Sequence, residues 1–245
     1  MQDENTLCQF LDWDSSFFGR RIARIISNQL DTELLRSILM WCDTNGIDCL
    51  YFLGDPSDQR TITTAEDSGF RLVDIRVTLE KELKNGLPQE NQSVDTLVRP
   101  STLNDTPALR MIARSSHRDT RFYYDPNFPE SQCDALYETW LEKSCNGYAD
   151  FVLVAEVGGK SVGYITCHKL EDRKGQIGLV GVGDGYQGRD IGSCLVRESL
   201  IWLAEQRMDR VSVVTQGRNV KAQRLYQKNG FVTKEVQLWY HRWFP

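Results

Sequence analysis

Between an apolar run, Ile177 to Val182, and an amphipathic segment lies Gly183-Asp184-Gly185-Tyr186-Gln187-Gly188-Arg189-Asp190-Ile191-Gly192, a turn whose residue types suit anion binding. Glycines let the backbone come close to a ligand, and a helix start offers unpaired N–H groups and a positive dipole end. The spacing of Gly192, Leu195, Val196, Ser199, Leu200 and Leu203 predicts that a helix begins here, so the stretch reads as strand, turn, helix. Such a turn is also an ordinary connection between two elements. It fits neither nucleotide fingerprint: a Gly-Lys-Ser/Thr ending is missing, and Asp209 precedes the next strand where a ribose-binding acid would end it.

A second apolar run, Arg210 to Thr215, leads to a segment in which helical spacing puts Asn219, Ala222 and Tyr226 on one face before a stop at Gly230-Phe231. With both blocks in this order, the chain resembles the GNAT superfamily of N-acetyltransferases from about Ser93 onward. That family carries a Gln/Arg-x-x-Gly-x-Gly/Ala turn, matched by Gln187 to Gly192, and often an Asn-x-x-Ala-x-x-x-Tyr helix ending in Gly-Phe. The resemblance implies acetyl-CoA as acetyl donor, and no metal. One position departs: Asp190 stands where the family usually has its first turn glycine, and a carboxylate there would repel a pyrophosphate. The expected cofactor contacts at the turn are Gln187 and the backbone of Gly188, Arg189, Ile191 and Gly192.

The resemblance also implies roles. Amide formation from a thioester needs a neutral amine, a route for its proton, an oxyanion donor and an acid for the thiolate. Tyr226 is the expected acid; without the family blocks it would read as a buried aromatic on an amphipathic helix. Asn219 is expected to hold the cofactor arm and is equally a helix N-cap. Leu179, Val180, Gly181 and Val182 would offer backbone groups to the pantetheine, with an oxyanion donor near Val180 or Val182. His168 and His117 have the right intrinsic pKa for a base, yet each also reads as an ordinary surface or packing histidine. No base is assigned, since water can take the proton of a partly neutral sugar amine.

Arg118 and Arg121, three apart among aromatics, suit a diphosphate, with Phe122, Tyr123 or Tyr124 available to stack on a nucleobase. A solvated charged loop is the competing reading. Together with Trp13 to Gly19, Thr120-Arg121-Phe122 and the aromatic run Trp239 to Phe244, these residues make the chain similar to one branch of the superfamily. That branch is the N-acetyltransferases of dTDP-4-amino-4,6-dideoxy sugars (TDP-fucosamine type), which carry a partial N-terminal domain. The expected function is acetyl transfer to the primary amine of a nucleotide-linked amino sugar. The alternatives are a protein N-terminus or a small metabolite amine as acceptor, and a non-catalytic acyl-CoA sensor.

The elements that must position these residues form an α/β (α+β) chain. Residues 1–84 read as a smaller, related N-terminal domain, 85–95 as a linker with Asn85-Gly86 and Pro88, and 96–245 as a GNAT domain with a mixed, mostly antiparallel sheet. Leu7 to Asp12 and Arg21 to Ile26 read as strands around Trp13 to Gly19. The pattern Ala65-x-x-x-Gly69-Phe70 parallels Tyr226-x-x-x-Gly230-Phe231, which suggests a degenerate half-copy, with chance likeness of two helix-glycine-strand units as the rival account. A net charge of -5 argues against nucleic-acid or anionic-membrane partners. Seven scattered cysteines without a C-x-x-C pair, and three histidines, argue against structural zinc and a disulfide framework. The start lacks signal-peptide character and no run is long enough to span a membrane, so a reducing cytoplasm is expected. A homodimer is compatible with the sequence.

Overall fold

The computed structural model describes residues 7–86 and 96–245. Most of the linker expected over 85–95 therefore lies outside the described residues. The first segment runs β1 (Cys8–Phe10), α1 (Asp12–Phe18), β2 (Ile22–Ile25), α2 (Thr32–Thr44), β3 (Cys49–Gly54), α3 (Gln59–Asp67) and β4 (Arg71–Glu82). The second runs β5 (Leu97–Pro100), α4 (Thr106–Ser116), α5 (Arg121–Tyr124), α6 (Glu130–Lys143), β6 (Phe151–Val157), β7 (Lys160–Leu170), β8 (Lys174–Val182), α7 (Ile191–Glu205), β9 (Arg210–Gln216), α8 (Val220–Lys228) and β10 (Val232–Trp243).

Local chemistry accounts for the helix starts. Asp31 caps α2 by accepting from the N–H groups of Glu33 and Leu34, and Asp58 caps α3 through those of Arg60 and Thr61. The strand expected over Leu7 to Asp12 is only Cys8–Phe10. The stretch Trp13 to Gly19, read simply as lying between two strands, is mostly the helix α1, which begins at Asp12 and is ended by Gly19 in the left-handed conformation at φ 63°. Its aromatics hide the pattern, since Phe17 and Phe18 are adjacent yet both pack against the core.

The ten strands of the described residues form one mixed, mostly antiparallel sheet in the order β1-β2-β3-β10-β4-β9-β8-β7-β6-β5. Among the described residues, only β2–β3 and β8–β9 are parallel. Strand β10 lies between β3 and β4, so the last strand of the chain is built into the first segment. The arrangement has an internal two-fold logic: α2-β3-α3-β4 and α7-β9-α8-β10 follow the same course and exchange their final strands. The two helix-to-strand junctions match bond for bond. Phe70 N–H donates to the Ala65 carbonyl at 3.1 Å, as Phe231 N–H does to the Tyr226 carbonyl at 3.1 Å, across Gly69 at φ 81° and Gly230 at φ 84°.

Because side chains alternate along a strand, the sheet buries both faces. On the back, α7 and α8 pack Leu195, Leu200 and Tyr226 against Ile165, Ile177 and Val213, while α2 and α3 cover Ala23, Leu50 and Phe52. On the front, α1, α4, α5 and α6 pack against Tyr51, Val154 and Tyr164. No helix among the described residues is long and apolar enough to cross a membrane.

Candidate active site

Helix α7 starts without a side-chain cap, so the N–H groups of its first turn face outward from an exposed loop. Gly188 takes φ 77°, and a Cβ there or at Gly185 would meet nothing within 4 Å, which leaves the backbone open to a ligand. Gly192 sits against Leu225 of α8, where a Cβ would come within 3.2 Å. Asp190 has φ 62°, which explains why glycine suits the position. Its carboxylate turns away to Lys228 at 2.6 Å and Arg197 at 3.5 Å, so the charge that threatened the turn is neutralised. Burial acts to raise this carboxyl, but Lys228, Ser193 and Arg197 outweigh it and hold it below its usual range. Gln187 gives its amide to the Val182 carbonyl at 3.2 Å and to Asp184 at 3.0 Å, bracing the loop. Arg189 is exposed, 5.3 Å from the Tyr186 ring.

Strands β8 and β9 pair only from Lys174–Arg210 to Ile177–Val213 and then part. Beyond that point, Leu179 N–H donates to Thr166 Oγ1 at 2.8 Å and Gly183 N–H to the Val162 carbonyl at 2.9 Å, both toward β7. Strand alternation then aims the N–H groups of Val180 and Val182 the other way, into the opening left by β9. Gly181 is required here: a Cβ would fall 2.6 Å from the ring of Tyr164.

Tyr226 lies on α8 with 5% of its surface exposed, and its hydroxyl has no hydrogen-bond partner among the described residues. Burial pushes its pKa up, so the phenol stays protonated. Asn219 caps α8, its Oδ1 accepting from Ala222 N–H at 3.0 Å, which leaves the amide NH2 available. Tyr226 is within electrostatic reach of Tyr164, whose hydroxyl lies 2.8 Å from Nε2 of His117. His117 stacks on Tyr137 at 4.6 Å, and burial lowers its pKa to about 4.

A cavity of about 800 Å³ opens on the front face where β8 and β9 part, lined by Gly178 and Leu179 of one strand and Val214 of the other. Trp13, Trp140 and Tyr148 wall it, with Lys143, Thr166 and His168 as polar groups. Gly178 keeps the floor open: a Cβ would fall 2.6 Å from Thr166 Oγ1 and 2.8 Å from His168 Nε2. Burial lowers the His168 pKa, with Asp150 opposing. An uncapped, glycine-lined helix start and outward strand N–H groups on one side, and a walled cavity on the other, suit a pyrophosphate-bearing thioester meeting an acceptor through the sheet. No group of residues able to hold a metal ion occurs among those described.

Residues 115–231 match the Acetyltransferase (GNAT) family. The chain carries a GNAT acetyltransferase domain. It is similar to the dTDP-fucosamine acetyltransferase of Escherichia coli O6:H1, 24% identical over 95% of this chain and 96% of that one. It is also similar to the spore coat polysaccharide biosynthesis protein SpsD of Bacillus subtilis, 28% identical over 59% of this chain and half (50%) of that protein. Among solved structures, a GCN5-related N-acetyltransferase from Sphaerobacter thermophilus shares the fold, with a TM-score of 0.65, 17% identity, 86% of this chain and 67% of that one covered.

Of the front-face residues singled out by sequence, the GNAT domain does not bring Arg118 and Arg121 together. Arg118 is exposed and ion-paired with Glu130 and Asp134, above the ring of Tyr123, whose hydroxyl donates to Asp134 at 2.7 Å. Arg118 precedes α5, so the three-residue spacing is not helical. Phe122 is buried beside Phe18 at 5.4 Å. Arg121 points instead toward the seam with the first segment. None of the four lines the cavity. Sequence reasoning had singled out Trp13, His168 and Leu179 of the lining but passed over Trp140, Lys143, Tyr148 and Thr166, because cavity walls are set by which helix covers which strand.

Proposed function

We propose that this chain transfers the acetyl group of acetyl-CoA to the primary amine of a nucleotide-linked amino sugar. The observation that carries the reading is the position of the cavity, directly over the parting of β8 and β9 and opposite the uncapped start of α7. GNAT enzymes take acetyl from acetyl-CoA, and in this chain the N–H groups of Gly188, Arg189, Ile191 and Gly192 would receive the pyrophosphate. Leu179, Val180 and Val182 would flank the pantetheine, and Asn219 would bind its arm through the free amide. The aromatic walls of Trp13, Trp140 and Tyr148 suit the faces of a sugar ring, and similarity to a dTDP-fucosamine acetyltransferase over nearly the whole chain favours an amino sugar.

The neutral amine attacks the thioester carbonyl; a C–N bond forms as the C–S bond breaks. The N–H of Val180 or Val182 donates to the carbonyl oxygen as charge develops. The amine gives one proton to water, and Tyr226 gives its phenolic proton to the departing thiolate, to be reprotonated by solvent. The phenol donates as negative charge builds on the sulfur during C–S cleavage, so proton transfer and departure of the thiolate are coupled.

The test follows CoA release with acetyl-CoA and a panel of amines. A dTDP- or UDP-linked amino sugar should exceed the free amino sugar and a peptide N-terminus in kcat/KM by at least tenfold. Faster turnover of the peptide would make the chain a protein N-terminal acetyltransferase. Binding of acetyl-CoA without turnover of any amine would make it a sensor.

A further inference from the structure

Three arginines converge on the front face at the seam where the two segments exchange strands. Arg24 of β2 pairs with Tyr51 of β3, Tyr51 with His241 of β10, and further along β10 Gln237 pairs with Arg76 of β4, which faces Gln216 of β9. Strand alternation puts Arg24, Tyr51, His241, Trp239, Gln237 and Arg76 on one face. Arg121 descends on them from α5.

Arg121 is held in a fixed orientation. Its guanidinium lies 4.2 Å from the ring of Phe122, 4.4 Å from Trp239 and 4.7 Å from Tyr51. Its Nε donates to Nε2 of His241 at 3.2 Å, and Nδ1 of His241 lies 2.6 Å from Asp125. Since Nε2 accepts, Nδ1 carries the proton and donates it to Asp125. Asp125, bound also by Trp243 at 2.8 Å, thus fixes the tautomer that fixes the arginine. Neither terminal nitrogen of Arg121 has a hydrogen-bond partner among the described residues.

Arg76 spends one nitrogen on Gln237 at 2.7 Å and Arg24 one on Gln9 at 3.1 Å. All three arginines are half-buried, and among the described residues none makes an ion pair, whereas Arg99, Arg110, Arg114 and Arg118 all do. Burial pushes the Arg76 pKa down, with Glu235 opposing and Arg24 and Arg121 adding to the fall. Asp14 of α1 lies in the same field and reduces the positive charge without forming an ion pair. Half-buried guanidinium groups with open donors are costly unless an anion completes them.

We infer that Arg24, Arg76 and Arg121 bind the diphosphate of the acceptor, so that the first segment contributes directly to substrate recognition. The inference rests on the nucleotide-sugar reading above. Arg24 and Arg76 stand three strand spacings apart, about 14 Å, and four residues apart along β10, about 13 Å, so their backbones are roughly 19 Å apart. Their guanidinium groups nonetheless reach within electrostatic range of each other and of Arg121, a span that suits two phosphates better than a single carboxylate. Asp14 adjoins Trp13, which walls the cavity, so one turn of α1 joins the diphosphate site to the amine pocket. Arg121 therefore works with Arg24 and Arg76, residues far away in sequence, and not with Arg118.

The experiment is calorimetry on protein saturated with CoA, so that the start of α7 is already filled, titrated with inorganic pyrophosphate and with dTDP. Arg76→Gln and Arg24→Gln should each weaken both ligands at least tenfold, with CoA affinity within twofold of the native protein, and Arg76→Lys should fall between, lacking the planar fork. Native melting behaviour shows that a variant is folded; Arg24, nearer the sheet edge, serves if Arg76→Gln is not. Unchanged pyrophosphate and dTDP binding in the folded variants, or no binding to the native protein, overturns the site. Failure of CoA itself to bind strikes at the acetyltransferase reading instead, and pyrophosphate alone then tests the arginines.

Discussion

The Asp190 carboxylate and the Lys228 ammonium lie 2.6 Å apart, tying the start of α7 to the last turn of α8. The contact joins the turn proposed to receive the pyrophosphate to the helix that carries Tyr226, and it turns an acidic side chain away from that proposed path.

Asp190→Gly should leave the turn intact, because glycine takes positive φ freely. Asp190→Ala should cost ~1–2 kcal/mol, the strain of a left-handed alanine. Urea unfolding of the two variants measures the difference; equal loss in both would assign the effect to the ion pair and not to the backbone.

Tyr226→Phe removes one hydroxyl from a buried position that gives it no hydrogen-bond partner among the described residues. Turnover should fall about 10²–10⁴-fold, the usual worth of a positioned acid. Acetyl-CoA affinity, read by calorimetry, should stay within twofold. Native turnover in the variant would remove Tyr226 from the chemistry.

Gly178→Ala should fold and lose acceptor use, since the methyl group would strike Thr166 and His168 in the cavity floor. The expected result is a rise in acceptor KM or a loss of kcat with unchanged acetyl-CoA binding. An unaltered acceptor KM and kcat would place the amine elsewhere.

His241 is buried and held neutral, its pKa lowered to about 4 chiefly by burial, against the bond to Asp125. The unfolded chain, with an ordinary histidine near 6.5, binds the proton first. The contribution is therefore full above about pH 6.5 and is lost as pH falls toward 4. His117, also lowered to about 4, acts in the same sense. The slope of stability against pH across this window should be shallower in His117→Asn than in the native protein. Identical slopes would mean that His117 titrates normally.

Much of this was legible in local pattern. The strand, turn and helix around Gly188, the face carrying Asn219 and Tyr226, and the stop at Gly230 follow from side-chain periodicity and from glycine's freedom at positive φ, which act over a few residues. The likeness of Ala65-Gly69-Phe70 to Tyr226-Gly230-Phe231 was also visible, and the paired hydrogen bonds at the two junctions are its structural counterpart. The helix at Trp13 was not legible, because its apolar residues satisfy two core contacts at once and break the amphipathic stripe.

What the tertiary structure alone decided is which distant residues meet. Periodicity states that Arg24, Arg76 and Gln237 belong to one face of their strands, but not that β10 enters between β3 and β4 and makes those faces neighbours. Strand order depends on which edges find partners and which faces are buried across the whole chain, and no local window contains that information. The cavity at the parting of β8 and β9, and the line from Asp125 through His241 to Arg121, exist only once the sheet is assembled.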